Sequence, residues 1–245
     1  MRILVTGGCG YVGSVLVPQL LSDGHNVLVV DDQWFGNFLP SHPELAIRKK
    51  SINQIDDNDL NGIEAVIHLA NVANDPSVEL NPTFSWEVNV LYTTQFLELC
   101  KRVKSVKKFM FASSGSVYGV KSEPNVTEEL SLVPISAYNK TKMSAERVCL
   151  SYAEYFDVIC VRPATVCGYS PRMRLDVTVN ALTFSALSSS ITSVVLFIST
   201  TLILLYPNRV FPEIDNPCSI KLFFALVNLS FFCCSSVSAN SPYKL

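Results

Sequence analysis

Charge and glycine both run out before this 245-residue sequence does. Of its 19 Lys and Arg and 21 Asp and Glu, only Arg209, Glu213, Asp215, Lys221 and Lys244 lie beyond Phe184, and no glycine follows Gly168. A compact lobe needs turns and a wettable surface, so these absences argue against an ordinary globular domain there. Positive charge is not in excess either: the formal net charge is −2, which speaks against nucleic acid as a partner. The eight cysteines are scattered, with no metal-ligand spacing, and read as reduced thiols without a metal site. No charged region, apolar core or cleavage site precedes the first apolar run after Met1-Arg2. No leader peptide is therefore read, and a cytoplasmic location is expected.

What is present, from Met1 to about Pro163, is an alternation of short apolar runs with helical patterns. Strands are expected at Arg2–Thr6, Val27–Asp31, Glu44–Arg48, Ala65–Leu69, Lys107–Ser113 and Asp157–Arg162. Helices are expected from Tyr11 to Leu21 with a bend at Pro18, from Pro82 to Lys101, and from Tyr138 through Leu150. This rhythm predicts the α/β class, a doubly wound parallel sheet that binds ligands at the carboxyl ends of its strands.

The first such end carries the strongest signal. Ile3-Leu4-Val5 runs into Thr6-Gly7-Gly8-Cys9-Gly10-Tyr11-Val12-Gly13. Positions without a Cβ let a backbone turn sharply and approach a pyrophosphate, while the helix behind offers free N–H donors. Glycine-rich turns also serve plain structural ends, so a second signal matters. The second strand ends on Asp31-Asp32, about 20 residues past the loop, where a carboxylate accepts hydrogen bonds from adenosine ribose hydroxyls. No Arg or Lys adjoins it in the chain, which favours NAD over NADP.

A second constellation follows the fifth strand. Phe109-Met110-Phe111-Ala112 discharges into Ser113-Ser114-Gly115-Ser116, and a later helix opens on Tyr138-Asn139-Lys140-Thr141-Lys142. Tyr138 and Lys142 are four apart and share a helix face. Tyrosine is a poor base at neutral pH, its ordinary pKa lying near ~10, and an ammonium beside it favours the phenolate. A nearby serine hydroxyl then hydrogen-bonds the reacting oxygen.

Together these residues resemble the extended short-chain dehydrogenase/reductases, in particular the NAD-dependent nucleotide-sugar epimerase/dehydratase group of the UDP-glucose 4-epimerase type. The similarity rests on Thr6-Gly7-x-x-Gly10-x-x-Gly13, Val66-Ile67-His68-Leu69-Ala70, Asn89, Ser113-Ser114-x-x-Val117-Tyr118-Gly119, Tyr138-x-x-x-Lys142 and Arg162-Pro163-Ala164-Thr165-Val166-x-Gly168. It covers Met1 to about Thr183. The resemblance implies a Rossmann fold in which Gly7, Gly10, Tyr11, Val12 and Gly13 cradle NAD, Asp31 binds its adenosine ribose, and Leu69, Ala70 and Pro163 line it. It implies Tyr138 as catalytic base, Lys142 as the group that lowers its pKa and holds the nicotinamide ribose, Ser114 as the catalytic hydroxyl and Asn89 as support for the active-site helix. His68 is implied to be structural. The partner implied is a nucleotide sugar, and a homodimer is compatible with the family.

Departures from the family pattern shape the expected reaction. Dehydratases of the group carry two acidic residues after the Ser/Thr; here Gly115 and Ser116 stand there, which speaks against dehydration. Ser51 replaces an Asp that touches adenine in many relatives, Tyr92 a common Gly and Cys167 a common Tyr. The expectation is an NAD-dependent epimerase, with an NAD-dependent sugar dehydrogenase or reductase and a catalytically inactive NAD-binding chain as alternatives.

Residues 1–183 are read as the NAD-binding domain. Residues 184–245 are read as an atypical apolar tail, leaving an incomplete C-terminal substrate lobe. Within the tail, Ala186–Tyr206 is uncharged and long enough to span a bilayer, so a transmembrane segment tethering the chain to a membrane competes with a frameshift-like extension.

Overall fold

The computed structural model describes residues 1–188 and the strand Ser235–Ser238. They fall into two units, which are taken separately. The first holds residues 1–164, 170–172 and that strand; the described part of the second is 165–169 and 173–188.

Six strands of the first unit, β1 (Arg2–Thr6), β2 (Asn26–Asp31), β3 (Leu45–Lys49), β4 (Ala65–His68), β5 (Lys108–Ala112) and β6 (Asp157–Arg162), are parallel and lie in the order 3-2-1-4-5-6. Each expected strand is present within a residue or two. The order reverses between β1 and β4, so the crevice for a ligand opens at their carboxyl ends, above Thr6 and His68.

Side-chain alternation divides the core between the two faces of the sheet. Ile3, Val5, Val27 and Val29 pack with Val17 and Leu21 of α1 (Gly13–Ser22). Leu4, Leu28, Val66, Phe109 and Phe111 pack on the other face with Phe96 and Leu97 of α5 (Thr93–Val103) and with Ala145 and Cys149 of α6 (Ala137–Ser151). Pro18 lies inside α1 without ending it. The continuous helix expected from Pro82 to Lys101 is broken in three. After α2 (Asp57–Leu60) and α3 (Asp75–Leu80), α4 (Pro82–Trp86) is followed by a π-helical turn, Glu87–Tyr92, and only then by α5. The wider turn carries the buried Asn89.

A seventh strand, β7 (Ser235–Ser238), pairs antiparallel with β6, from Ile159 opposite Ser238 to Arg162 opposite Ser235. It comes from the part read in the sequence as an apolar tail, and it adds to the six strands expected of the sheet. An edge strand leaves a row of unpaired N–H and C=O groups, and β7 meets them on β6. In the second unit, α7 (Thr178–Ser188) runs across the expected boundary at 183. Its buried Asn180 accepts from the Gly168 N–H at 2.9 Å and donates to the Arg174 carbonyl at 2.9 Å. Among the described residues no helix is long and apolar enough to cross a membrane. The run Ala186–Tyr206 lies outside them beyond Ser188.

His68 closes β4 and is fully buried among Phe96, Phe109 and Phe111, with ring centroids 5.7 to 5.8 Å away. Its Nδ1 meets Thr6 Oγ1 at 2.6 Å and its Nε2 meets Thr93 Oγ1 at 2.9 Å, tying β1, β4 and α5 together. Burial, with the nearby Lys142 adding to it, pushes its pKa down to about 3. The imidazole is therefore a neutral strut. The unfolded chain takes up this proton below its ordinary value of 6.5 and the folded chain does not, so stability falls as pH drops from there toward 3. Urea unfolding of the intact chain between about pH 4.5 and 7.5 is expected to lose up to about 1.4 kcal/mol per pH unit through this residue, a slope that His68→Gln removes.

Candidate active site

The loop after β1 leaves no room for a side chain at Gly7 or Gly13. Gly7 has a φ of +71°, and a Cβ on it would lie 2.6 Å from the Ala70 nitrogen; one on Gly13 would lie 2.4 Å from the Gly8 carbonyl oxygen. These contacts are with backbone, which cannot yield. They draw the loop against the end of β4, where Leu69 N–H donates to Thr6 O at 3.0 Å and Ala70 N–H to Thr6 Oγ1 at 3.3 Å. Gly10 N–H closes the turn on Gly7 O at 3.1 Å, Tyr11 is buried, Val12 is exposed, and α1 starts at Gly13 with its first-turn amides and positive dipole end at the crevice. A cradle that a Cβ would fill, backed by a helix N-terminus, fits the pyrophosphate of a dinucleotide.

Asp31 closes β2 beside this loop. One carboxylate oxygen accepts from the Cys9 N–H at 3.0 Å and the other from the Gln33 N–H at 2.6 Å, which fixes the carboxylate and leaves lone pairs for ribose hydroxyls. Next to it, burial holds the Asp32 carboxyl above its ordinary value, a hydrogen bond from Ser51 opposes this, and the Asp31 charge adds to the rise. The Ser51 hydroxyl is thus engaged by Asp32. The chain shows no cation beside Asp31, but the sheet does: Lys49 of β3 is its register partner, on the side of β2 away from the loop.

The helix α6 starts where Ser136 caps it, its hydroxyl accepting the Asn139 N–H at 3.1 Å, and this sets Tyr138 in the first turn. One turn on, Lys142 is 4% exposed; its ammonium donates to the Ala112 carbonyl at 2.8 Å and lies 5.9 Å from the centre of the Tyr138 ring. Burial pushes the Lys142 pKa down to about 7. Asn89 holds the helix from the other side. Its amide accepts the Val72 N–H at 2.8 Å, and donates to the Val72 carbonyl at 3.1 Å and to Thr141 Oγ1 at 3.0 Å; Thr141 in turn donates to the Tyr138 carbonyl at 2.7 Å.

The two serines after β5 have different surroundings. Ser113 is buried and donates to Glu146 Oε2 at 2.6 Å, so its hydroxyl is committed to the core. The Ser114 hydroxyl meets that of Ser116 at 2.7 Å, and Ser116 donates to Asn139 Oδ1 at 2.5 Å, beside Tyr138. Pro163 sits against the same loop, its carbonyl accepting the Gly115 N–H at 2.8 Å; a Cβ on Gly115 would lie 3.1 Å from that oxygen.

Sequence reasoning missed the buried pair beneath these groups. Glu146, one further turn along the Tyr138 and Lys142 face, is 1% exposed and takes the Arg162 Nε at 3.1 Å on both oxygens, with a further contact from Nη2. Arg162 also donates to the Tyr118 hydroxyl at 2.8 Å. The set ties the ends of β5 and β6 to α6. Breaking such a pair from one side typically costs about 3–5 kcal/mol, because a charge is left buried alone. The i, i+4 step from Lys142 to Glu146 was the available signal; its partner at the end of β6 was not deducible from spacing.

The fold defines an α/β protein of the dinucleotide-binding class, with a glycine-rich cradle after β1, Ser114 on the loop after β5, and Tyr138 and Lys142 one turn apart on α6. Residues 3–194 match the NAD dependent epimerase/dehydratase family, and the chain belongs to it. Its relatives include a UDP-glucose 4-epimerase of Mycolicibacterium smegmatis, 35% identical over 182 residues (70% of this chain and 58% of that protein), and one of Corynebacterium glutamicum, 33% identical over 159 residues (64% and 48%). Among solved structures, the UDP-glucuronic acid 4-epimerase of Bacillus cereus in complex with NAD superposes with a TM-score of 0.67 at 29% identity, covering 76% of this chain and 63% of that one. The NDP-hexosamine 5,6-dehydratase TunA does so with a TM-score of 0.70 at 28% identity, covering 76% and 61%. The chain thus spans from about half to three fifths of the length of the curated relatives it matches.

NAD is the cofactor. Since a fixed Asp31 carboxylate repels a 2′-phosphate, titration of the intact chain is expected to give tighter binding of NAD than of NADP. Equal affinities, or a preference for NADP, would mean that Lys49 outweighs Asp31.

Proposed function

We propose that this chain carries the NAD-dependent machinery of a nucleotide-sugar epimerase. The observation that carries the reading is the shared face of α6, with Tyr138 above a buried Lys142 and with Ser114 on the adjoining loop. When bound, NAD supplies a hydride acceptor and donor. Tyr138 removes the proton of a sugar hydroxyl, its phenolate favoured by the Lys142 ammonium. The effect is mutual, since a phenolate returns to Lys142 the proton affinity that burial removes. Ser114 hydrogen-bonds the same oxygen as it turns from hydroxyl to carbonyl. Asn89 keeps the first turn of α6 in place through Thr141. With the hydride taken from the same sugar carbon and given back to it by bound NAD, Tyr138 returns its proton to the oxygen with no net oxidation.

Epimerisation rather than dehydration is supported by the loop after Ser114. Elimination needs an acid and a base beside the sugar, and this loop offers Gly115 and Ser116. The close approach of the Pro163 carbonyl to Gly115 leaves little space for an acidic side chain there. The substrate class is supported by the epimerase relatives, which are UDP-glucose 4-epimerases. Binding energy from the nucleoside diphosphate normally positions the sugar, and the charge-poor stretch after Phe184 offers few groups to grip it. The intact chain is therefore expected to interconvert UDP-glucose and UDP-galactose slowly or not at all.

The test joins residues 1–183 to the remaining part of the Corynebacterium epimerase. Epimerase activity is expected in this chimera, and Tyr138→Phe is expected to lower turnover by about 10²–10⁴-fold with NAD binding nearly unchanged, while Lys142→Ala damages both. A Tyr138→Phe chimera that keeps more than about a tenth of the activity would refute the assignment of the base. Accumulation of NADH in a single turnover would favour the dehydrogenase alternative, and robust epimerase activity from the intact chain would mean that the tail builds a working substrate lobe.

A further inference from the structure

The segment Ser170–Arg172 lies beside the nucleotide cradle and belongs to neither the glycine-rich loop nor the catalytic helix. The Ser170 hydroxyl, only 2% exposed, donates to the Tyr11 carbonyl at 2.8 Å and pins the segment to the loop. Two residues on, the Arg172 guanidinium stacks over the Phe35 ring, 3.7 Å from its centroid. Phe35 follows Asp31 by four residues and is 62% exposed, so the contact is no part of a core. Trp34 beside it, 60% exposed, stacks on Phe84 of α4 at 6.1 Å between ring centroids and anchors the same loop. The segment is thus fixed to the glycine loop through Ser170 and to the loop just past Asp31 through Arg172.

Charge says what a cation there can do. A dinucleotide pyrophosphate brings two negative charges to a mouth that already has Asp31 and Asp32. Residues 6–13 and 31–38 contain no Lys or Arg, and the loop amides and helix end contribute only partial charges. Lys49 stands on β3, beyond Asp31. We infer that Arg172 is a cofactor-binding residue: its guanidinium ligates the pyrophosphate of the bound dinucleotide, with Ser170 and Phe35 holding it in position. The inference rests on the NAD-binding reading of the cradle and extends it to a segment distant in sequence.

The experiment is a binding titration of the full 245-residue chain and of Arg172→Met, whose apolar stem still covers Phe35, with NAD, ADP-ribose and adenosine as ligands. Arg172→Met is expected to weaken NAD and ADP-ribose about tenfold at low salt and to leave adenosine unchanged. Arg172→Lys should recover part of the loss, and the difference should shrink as salt rises from about 0.05 to about 0.5 M. Unchanged or tighter NAD binding by Arg172→Met, or an equal loss for adenosine, would overturn the assignment while leaving the cradle intact. A parent chain that binds neither NAD nor ADP-ribose would overturn the NAD reading itself, and this assignment with it.

Discussion

A lysine buried against a backbone carbonyl organises this site. The Lys142 ammonium is 4% exposed and donates to Ala112 O at the end of β5, so the catalytic helix is joined to the sheet at the point where the cofactor crevice opens. Burial pulls its pKa down to about 7, which means the fold makes the cation costly there. Such a group gains by any anion brought beside it, and the Tyr138 ring is the side chain placed for that role, one turn back on the same face. One turn forward, Glu146 does not neutralise Lys142 but holds Ser113 and Arg162. The face therefore carries, in chain order, Tyr138, Lys142 and Glu146: the base and cation of the proposed site and a buried anchor.

The same economy governs the cradle. Gly7 and Gly13 meet backbone atoms wherever a Cβ would stand, so the loop, the start of α1 and the end of β4 form one close-packed unit. His68 stiffens that unit from beneath by linking Thr6 to Thr93. Its neutral imidazole and complete set of partners make it structural, as the family resemblance implied, although it lies within the electrostatic reach of Lys142.

Much of this was legible in the residues. β1 and β2 announce themselves as apolar, largely β-branched runs because strands buried on both faces have no polar alternation to blur them. The glycine loop and the Tyr138 and Lys142 pair are local patterns visible in their spacing, and they point to a site only in combination. What escaped depends on residues far apart in the chain. The π-helical turn at Glu87–Tyr92 keeps a helical rhythm in sequence, so Asn89 was found by resemblance and not by periodicity. The Lys49 neighbour of Asp31 needs strand register, the Glu146 and Arg162 pair needs β6 beside α6, and β7 comes from a region whose composition gave no sign of a sheet partner.

In the proposed site, Lys142 makes Tyr138 ionise more easily than an ordinary tyrosine. Difference absorption of the NAD-saturated intact chain against its Tyr138→Phe variant, followed through a pH titration at the tyrosinate band, measures this directly. The account predicts one tyrosinate that forms well below the remaining tyrosines, absent from Tyr138→Phe and shifted upward in Lys142→Met. Identical titrations of the parent and Tyr138→Phe chains throughout the range below ordinary tyrosine ionisation would contradict it.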